Sequence, residues 1–565
     1  MSKVMAGMKS LCFTKPWLLY WCFFSALVST VHHSQLYYQH DAPKWWLLDV
    51  ALSIFVTVRI VTERANITLH IKGCLCLSVL ILCGLSVFWA PNFGAAIELF
   101  LRYSVLAVAL YFLIKDIQLE SYSDLPFWVA FTSSCSFFVV LVIERYLLGL
   151  PYSHGAYTPL GFINHAGQVY IFWIPLLFLG TIKYTGWIRY GSLILLMASA
   201  LILAESAVRA SLLGLTGAIV LLAIVFLLKH KQKAWQAVAL LGVLLCAVFI
   251  VQYFGVKGDY LAKKLERTVS ASSFNRATSN RVGMFKNTAI MIADNPLGVG
   301  LNNFEYIHPL YAKAGTSQAS AFVSERRILR TPHNFLLKIT SEIGWLGGVL
   351  FLILGIWVGV IAVRSVWVSN GDTARGNYWA PAYCIAILAL LFNALFSAVF
   401  SNPGSLWFSL ILLAAIGALA QVPARPLCVL PLVSSVRCLM CVTAIFLMAL
   451  SCASFVSQRL AYQGKKEYDP LKLERAININ AYNERARYDY AVITYEQNRD
   501  TQSAIDNIQQ FLMINPYHIG ARFKLAQWLY QQKEYDRCKA ELQNILRYYP
   551  KYKAAKNLYR QASRQ

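Results

Sequence analysis

"ASLLGLTGAIVLLAIVFLLKHKQKAWQAVALLGVLLCAVFIVQYF", residues 210–254, holds two apolar runs around a short basic turn. The runs 210–228 and 235–254 contain no Asp, Glu, Lys or Arg, and Lys229, Lys231 and Lys233 lie between them. Each run is long enough to cross a hydrocarbon core of about 30 Å as a helix. Working outward, the same pattern recurs at 16–31, 46–62, 73–90, 94–114, 125–149, 167–182, 188–206, 344–366, 379–400, 405–421 and 438–456. With the first pair this makes about thirteen spans by hydropathy. The predicted fold is all-α, a polytopic membrane helix bundle.

The composition agrees. Of 565 residues, 58% are hydrophobic, and mean hydropathy is +0.50. That excludes an ordinary soluble domain. The first run follows Lys3, Lys9 and Lys15 but has no small-x-small cleavage site after it, so it reads as a retained helix. Basic residues set the orientation. Lys3, Lys9, Lys15, Arg64, Lys72, Lys183, Arg189, Lys229, Lys231, Lys233, Arg364, Arg375, Arg425 and Arg437 share one side if the N-terminus is cytoplasmic. The long stretch 255–343 and the tail 457–565 then face the opposite, periplasmic side. The net charge of +24 suits anionic headgroups or anionic substrates. No basic run interleaved with aromatics sits in a soluble segment, so nucleic acid is not an expected partner. Of the 13 cysteines, most lie in apolar spans and read as small packing residues.

The chain divides into a membrane domain, 1–456, and a soluble tail, 457–565. Within the tail, the stretches starting at Ile479 and Ile514 align, Tyr482 with Tyr517, Ala486 with Ala521, Ala491 with Ala526 and Tyr495 with Tyr530. Ala at helix crossings and Pro516 and Pro550 at the turns resemble a tetratricopeptide repeat. Such helix pairs stack and leave a concave groove, suited to a peptide or protein.

Polar residues at membrane depth are costly and point to function. Four stretches stand out. In "TPHNFLLKITSEIGWLG", 331–347, Thr331 reads as an N-cap and Pro332 as the first helical residue, placing His333 and Asn334 in the first turn. A helix N-terminus favours anions and disfavours imidazolium, so His333 should stay neutral and accept a proton. Lys338 and Glu342 follow at i,i+4 spacing. In "AESAVRASLLG", 204–214, Glu205 and Arg209 are either an i,i+4 pair or, for Arg209, an anion contact. In 279–304, Arg281 and Lys286 precede an amphipathic helix ending at Asn295-Pro296, followed by a turn with Gly298 and Gly300 and by Asn303. In 159–173, Asn164, His165 and Gln168 enter a span.

These stretches, in this order on one side, resemble the O-antigen ligase superfamily of bacterial inner-membrane glycosyltransferases, over roughly 150–405. "TPHNFLLKITSEIGWLG" is similar to its His-Asn…Glu-x-Gly signature, "RVGMFKNTAIMIADNPLGVGLNNF" to its Arg…Pro-x-Gly-x-Gly…Phe loop, and "SAVRASLLG" to its Ser-x-x-Arg element. With the repeat tail, the chain looks most like the PglL-type protein O-oligosaccharyltransferases. The resemblance implies an undecaprenyl-pyrophosphate-linked glycan as donor and periplasmic chemistry. Arg209 and Arg281 would bind the pyrophosphate and His333 would be catalytic, supported by Asn334, Glu342, Lys286 and Asn303. No metal and no cofactor is implied. Two departures are visible: "INHAGQVY" lacks the family's Pro-Asn pattern, and Ser401-Asn402-Pro403 stands where an acidic residue often precedes proline. The expected acceptor is Ser or Thr of a periplasmic or pilin protein. The alternatives are ligation to lipid A-core, glycan polymerisation, and a transporter or flippase.

Overall fold

The computed structural model describes residues 16–62, 67–69, 71–118, 124–150, 156–255, 263, 266, 270, 281–312, 329–368, 377–419, 428–430 and 433–565. Lys3, Lys9, Lys15, Arg64, Arg375, Arg425 and the side chain of Lys72, used above for orientation, lie outside the described residues, as does most of 256–280.

The membrane body runs α1 (Pro16–Thr30), α2 (Asp41–Thr62), α3 (Ile71–Ser86), α4 (Phe93–Gln118), α5 (Leu125–Val142), α6 (Ile163–Lys183), α7 (Gly186–Ser206), α8 (Arg209–Lys229) and α9 (Ala234–Phe254). Two shorter helices follow, α10 (Arg281–Asp294) and α11 (Phe304–Tyr311), then α12 (Phe335–Val368), α13 (Ala380–Ala394), α14 (Pro403–Leu419) and α15 (Ser434–Glu467). Among the described residues nine helices are long and apolar enough to cross a bilayer. Four shorter apolar helices, Pro16–Thr30, Gly73–Trp89, Ala380–Ala394 and Pro403–Leu419, stand where the remaining spans are expected.

Contacts between connections sort into two faces. On one, Ile67–Leu69 pairs antiparallel with Cys428–Leu430, and Asp124 accepts from Lys183 Nζ and Tyr184 Oη at 2.7 Å and Trp379 Nε1 at 3.1 Å. On the other, Lys44 Nζ donates to the Pro159 carbonyl at 2.8 Å and Trp89 Nε1 to the Gly298 carbonyl at 3.0 Å. The long connection between α9 and α12, and the tail, are on this second face, the loop face.

The bundle interior is built from large aromatics, and two of its buried tryptophans find a serine hydroxyl. Trp407 Nε1 donates to Ser25 Oγ at 2.9 Å, and Trp173 Nε1 to Ser133 Oγ at 2.8 Å. Inside it, Arg102 grips Asp49 with two 2.7 Å bonds, reaches Glu98 at 2.8 Å and lies over Trp45. Planar two-point pairing is what lets a charge persist there.

Two helix breaks shape the loop face. Between α7 and α8, Ala207 turns left-handed at φ 47°. In α12, Ile343 and Gly344 leave helical geometry, Gly344 at φ 82°. The turn 296–301 wedges into that kink. Val299 N donates to Ser341 O at 2.9 Å, Gly300 N to Glu342 O at 3.0 Å, and Trp345 N to Pro296 O at 3.2 Å. The approach is so close that a Cβ on Gly344 would lie 2.5 Å from the Pro296 carbonyl oxygen. This is the physical reason for Glu-x-Gly opposite Pro-x-Gly-x-Gly.

α15 runs unbroken across 456/457 to Glu467. The repeat helices follow: α16 (Pro470–Ile479), α17 (Glu484–Asn498), α18 (Thr501–Ile514), α19 (Ile519–Gln531), α20 (Tyr535–Tyr548) and α21 (Lys553–Ala562). Ala486, Ala491, Ala521 and Ala526 are fully buried at the crossings. Asp469, Asn483, Asp500 and His518 cap helix starts with side-chain acceptors. The tail is docked on the body. Tyr37 Oη donates to Asp489, and Phe93 packs against Tyr482 at a 6.2 Å centroid distance.

Candidate functional site

Arg209, Arg281 and His333 come from three separate elements, and each is placed by a local device. Arg209 is the first residue of α8, two positions past the left-handed Ala207 and next to the N-cap Val208. Its cationic side chain therefore adds to the positive end of the helix. The Glu205–Arg209 spacing does not act as i,i+4, because the helix breaks between them. Arg281 is the first residue of α10, so the amphipathic helix includes Arg281 and Lys286 rather than following them. Arg281 Nη1 donates to the Phe396 carbonyl at 2.9 Å.

His333 differs from the sequence expectation. Thr331 and Pro332 do not start the helix. The N-cap is Asn334, whose Oδ1 accepts from Leu337 N at 2.9 Å, and α12 begins at Phe335. His333 sits just before it at φ 49°, its N–H turned onto Thr331 Oγ1 at 3.3 Å. A left-handed histidine stores strain, and such residues cluster at functional sites. Thr331 and Asn334 are both good capping types, so the sequence allowed either as cap; the turn chose the later one. Asn334 Nδ2 also donates to the Leu395 carbonyl at 3.0 Å.

Consecutive carbonyls past the end of α13, Leu395 and Phe396, thus hold Asn334 and Arg281 and draw their elements together. The electrostatics register the proximity. Burial first, then Arg281 and His165, lower His333 to about 4. Burial and then Arg209 push Arg281 below its ordinary value. His333 is therefore a neutral proton acceptor beside the Arg281 guanidinium, which in turn has Arg209 as a neighbour. Its neutrality comes from burial and cationic neighbours rather than from a place in the helix's first turn.

The other predicted residues go elsewhere. Glu342 and Lys338 are buried and paired with each other, Oε1 to Nζ 2.6 Å. Asn303 accepts from Asn92 N at 2.7 Å and donates to the Asn92 and Leu301 carbonyls, tying two loops. Lys286 is exposed on α10. Gln168 donates to Ser397 Oγ at 2.8 Å and accepts from Ser405, joining α6 to the end of α13 and the start of α14. His165 Nδ1 lies 4.0 Å from Asp41 Oδ1. Asn402 Oδ1 accepts from Gly404 N at 3.1 Å as α14 starts.

Residues 193–352 match the family model described as O-antigen ligase, a segment that contains Arg209, Arg281 and His333. That segment is an O-antigen ligase domain. The ligase domain is followed by a tetratricopeptide repeat match over 495–562. No curated protein matches the chain. An O-antigen ligase domain implies a lipid-linked glycan donor and an acceptor, and a glycosyltransferase-like ligation between them.

Sequence reading missed the Leu395 and Phe396 carbonyls, which carry no side-chain signal. It also missed Tyr38 and Arg330, which meet across the loop face, Arg330 Nη2 donating to the Tyr38 hydroxyl.

Proposed function

We propose that the protein moves a preassembled glycan en bloc from undecaprenyl pyrophosphate to an acceptor hydroxyl. The acceptor is Ser or Thr of a secreted protein, the loop face is periplasmic, and the membrane is the bacterial inner membrane. The observation that carries this reading is the convergence of Arg209, Arg281 and a neutral His333 inside a ligase domain.

The acceptor oxygen attacks the anomeric carbon of the first sugar, and the bond from that carbon to the phosphate oxygen breaks. His333 takes the hydroxyl proton. Arg209 and Arg281 hold the diphosphate and stabilise the negative charge that gathers on it as it leaves, the work a divalent ion would otherwise do. Bound diphosphate offsets Arg281 and Arg209 electrostatically, which raises the basicity of His333 when donor is present. The docked tail supports a protein acceptor, because its repeat groove suits a polypeptide and offers little to a lipid A-core sugar. Transfer of glycan from purified lipid-linked donor, with protein and lipid A-core acceptors in parallel, tests the reading. Label appearing only on lipid A-core, or label appearing on neither acceptor, counts against it.

A further inference from the structure

Arg330 lies three residues before His333 and faces the tail. Its guanidinium carbon stands 4.1 Å from the centroid of the Tyr38 ring, and its Nη2 donates to the Tyr38 hydroxyl. The guanidinium of Arg485, in the first turn of α17 in the tail, lies 5.9 Å from the ring centroid of the adjacent Tyr37. The Tyr37-Tyr38 pair therefore stands between one arginine of the body and one of the tail. Glu305 on α11 approaches Arg330 Nε at 3.6 Å, and Glu484 stands beside both arginines. Next to this bridge Tyr37 bonds Asp489, which pairs with Lys465 at 3.1 Å.

An isolated surface ion pair is worth little. Here the Tyr38 hydroxyl and ring on Arg330, the Tyr37 ring by Arg485 and the Tyr37–Asp489 bond act together, and the planar donor forks fix direction as well as distance. Between Arg330 and His333 stand only Thr331 and Pro332. Proline locks one torsion of that link, and Thr331 Oγ1 closes the turn onto the His333 N–H. A displacement of Arg330 has few soft torsions in which to be absorbed before it reaches His333.

We propose that Arg330 is a positioning residue, coupled through Tyr38 to the tail, so that an acceptor chain engaged by the tail sets the orientation of His333. Its activity arm rests on the transferase reading above; its second arm rests on geometry alone.

The experiment uses the full-length protein in nanodiscs with Tyr38→Phe, which keeps the ring and removes the hydroxyl, and Arg330→Lys, which keeps the charge and removes the fork. In the activity arm, kcat for transfer should fall about tenfold with acceptor KM within about twofold, as expected for a misplaced base. In the second arm, diethyl pyrocarbonate modification of His333 is followed against pH by mass spectrometry. The wild-type midpoint should lie well below that of free imidazole and move up toward it in both variants, because a released His333 gains water and leaves Arg281. Unchanged midpoints with unchanged kcat overturn the proposal. So does a rise in acceptor KM alone, which would mean that the tail holds the acceptor without touching His333. If the wild type transfers nothing yet the midpoints move, the coupling stands and the transferase reading falls.

Discussion

Replacing Gly344 by alanine should detach the turn 296–301 from α12. A Cβ at this position meets Pro296 O at 2.5 Å and Leu297 C at 2.8 Å, both backbone atoms that cannot rotate away. The residue also sits at φ 82°, where an L side chain costs about 1–2 kcal/mol. Overpacking adds about 1–3 kcal/mol. If the turn moves out instead, three bonds go with it: Val299 N to Ser341 O, Gly300 N to Glu342 O and Trp345 N to Pro296 O. Each is worth about 0.5–1.5 kcal/mol, so either route costs about 3 kcal/mol. Gly217→Ala is the matched control, since a Cβ there meets nothing within 4 Å. In a helix that change should stabilise by roughly 0.5–1 kcal/mol. Apparent melting temperature in nanodiscs and hydrogen exchange over 296–303 read both variants. Gly344→Ala should melt several degrees low and lose protection in that peptide. A Gly344→Ala protein that melts with the wild type and keeps its 296–303 amides protected would refute the wedge.

Other outcomes follow from the site and its surroundings. His333→Ala should slow transfer by about 10²–10⁴-fold while donor binding by Arg209 and Arg281 persists; wild-type turnover would move the base elsewhere. Because His333 is lowered to about 4 in the free protein, kcat/KM should hold through neutral pH and fall only as pH drops through about 4 and the ring gains its proton; an acid limb near 6.5 would contradict the burial argument. Arg281→Lys keeps charge but loses the planar fork, and should lose most transfer and donor retention. Since two guanidinium groups are proposed to carry the leaving charge, chelation with EDTA should leave turnover unchanged; loss restored by a divalent ion would refute that division of labour.

The fold was legible where it depends on hydropathy and local period. Apolar runs located the spans, and the Ala and Pro spacing located the repeat helices. What the sequence hid is long-range. Tyr37 and Asp489 bond across 452 positions, and a Tyr-Tyr pair in a short loop carries no local sign of a partner. The kink at Ile343 and Gly344 falls where the polar stripe Lys338–Glu342 meets the apolar run 344–366, and the two patterns join with no local sign of a break. The three predicted site residues brought together each stand at or just before the start of a helix on the loop face. Glu342 and Asn303 lie in two of the quoted stretches but bond to Lys338 and to the Asn92 loop, because a motif records adjacency along the chain and not the direction a side chain takes. Asp49, Glu98 and Arg102 are also ionisable residues in apolar runs, and the same test of cost would have found them.

On the proposed transferase reading, the continuous α15 has a consequence for which hydroxyls come within reach. Its 34 residues rise about 51 Å at roughly 1.5 Å per residue, against a hydrocarbon core of about 30 Å. The rod is therefore about 20 Å longer than such a core, and toward its C-terminal end it is stapled to the tail where Ser457 Oγ donates to the Ala476 carbonyl at 2.6 Å. On the transferase reading proposed above, the glycan arrives from a carrier anchored in that lipid while the repeat tail stands at a height set by this rod. The protein would on that reading be a gauge: an acceptor is selected by the distance between the segment it lays on the tail and the hydroxyl it hangs toward the membrane, and lengthening the rod by a turn or two changes which hydroxyl that is.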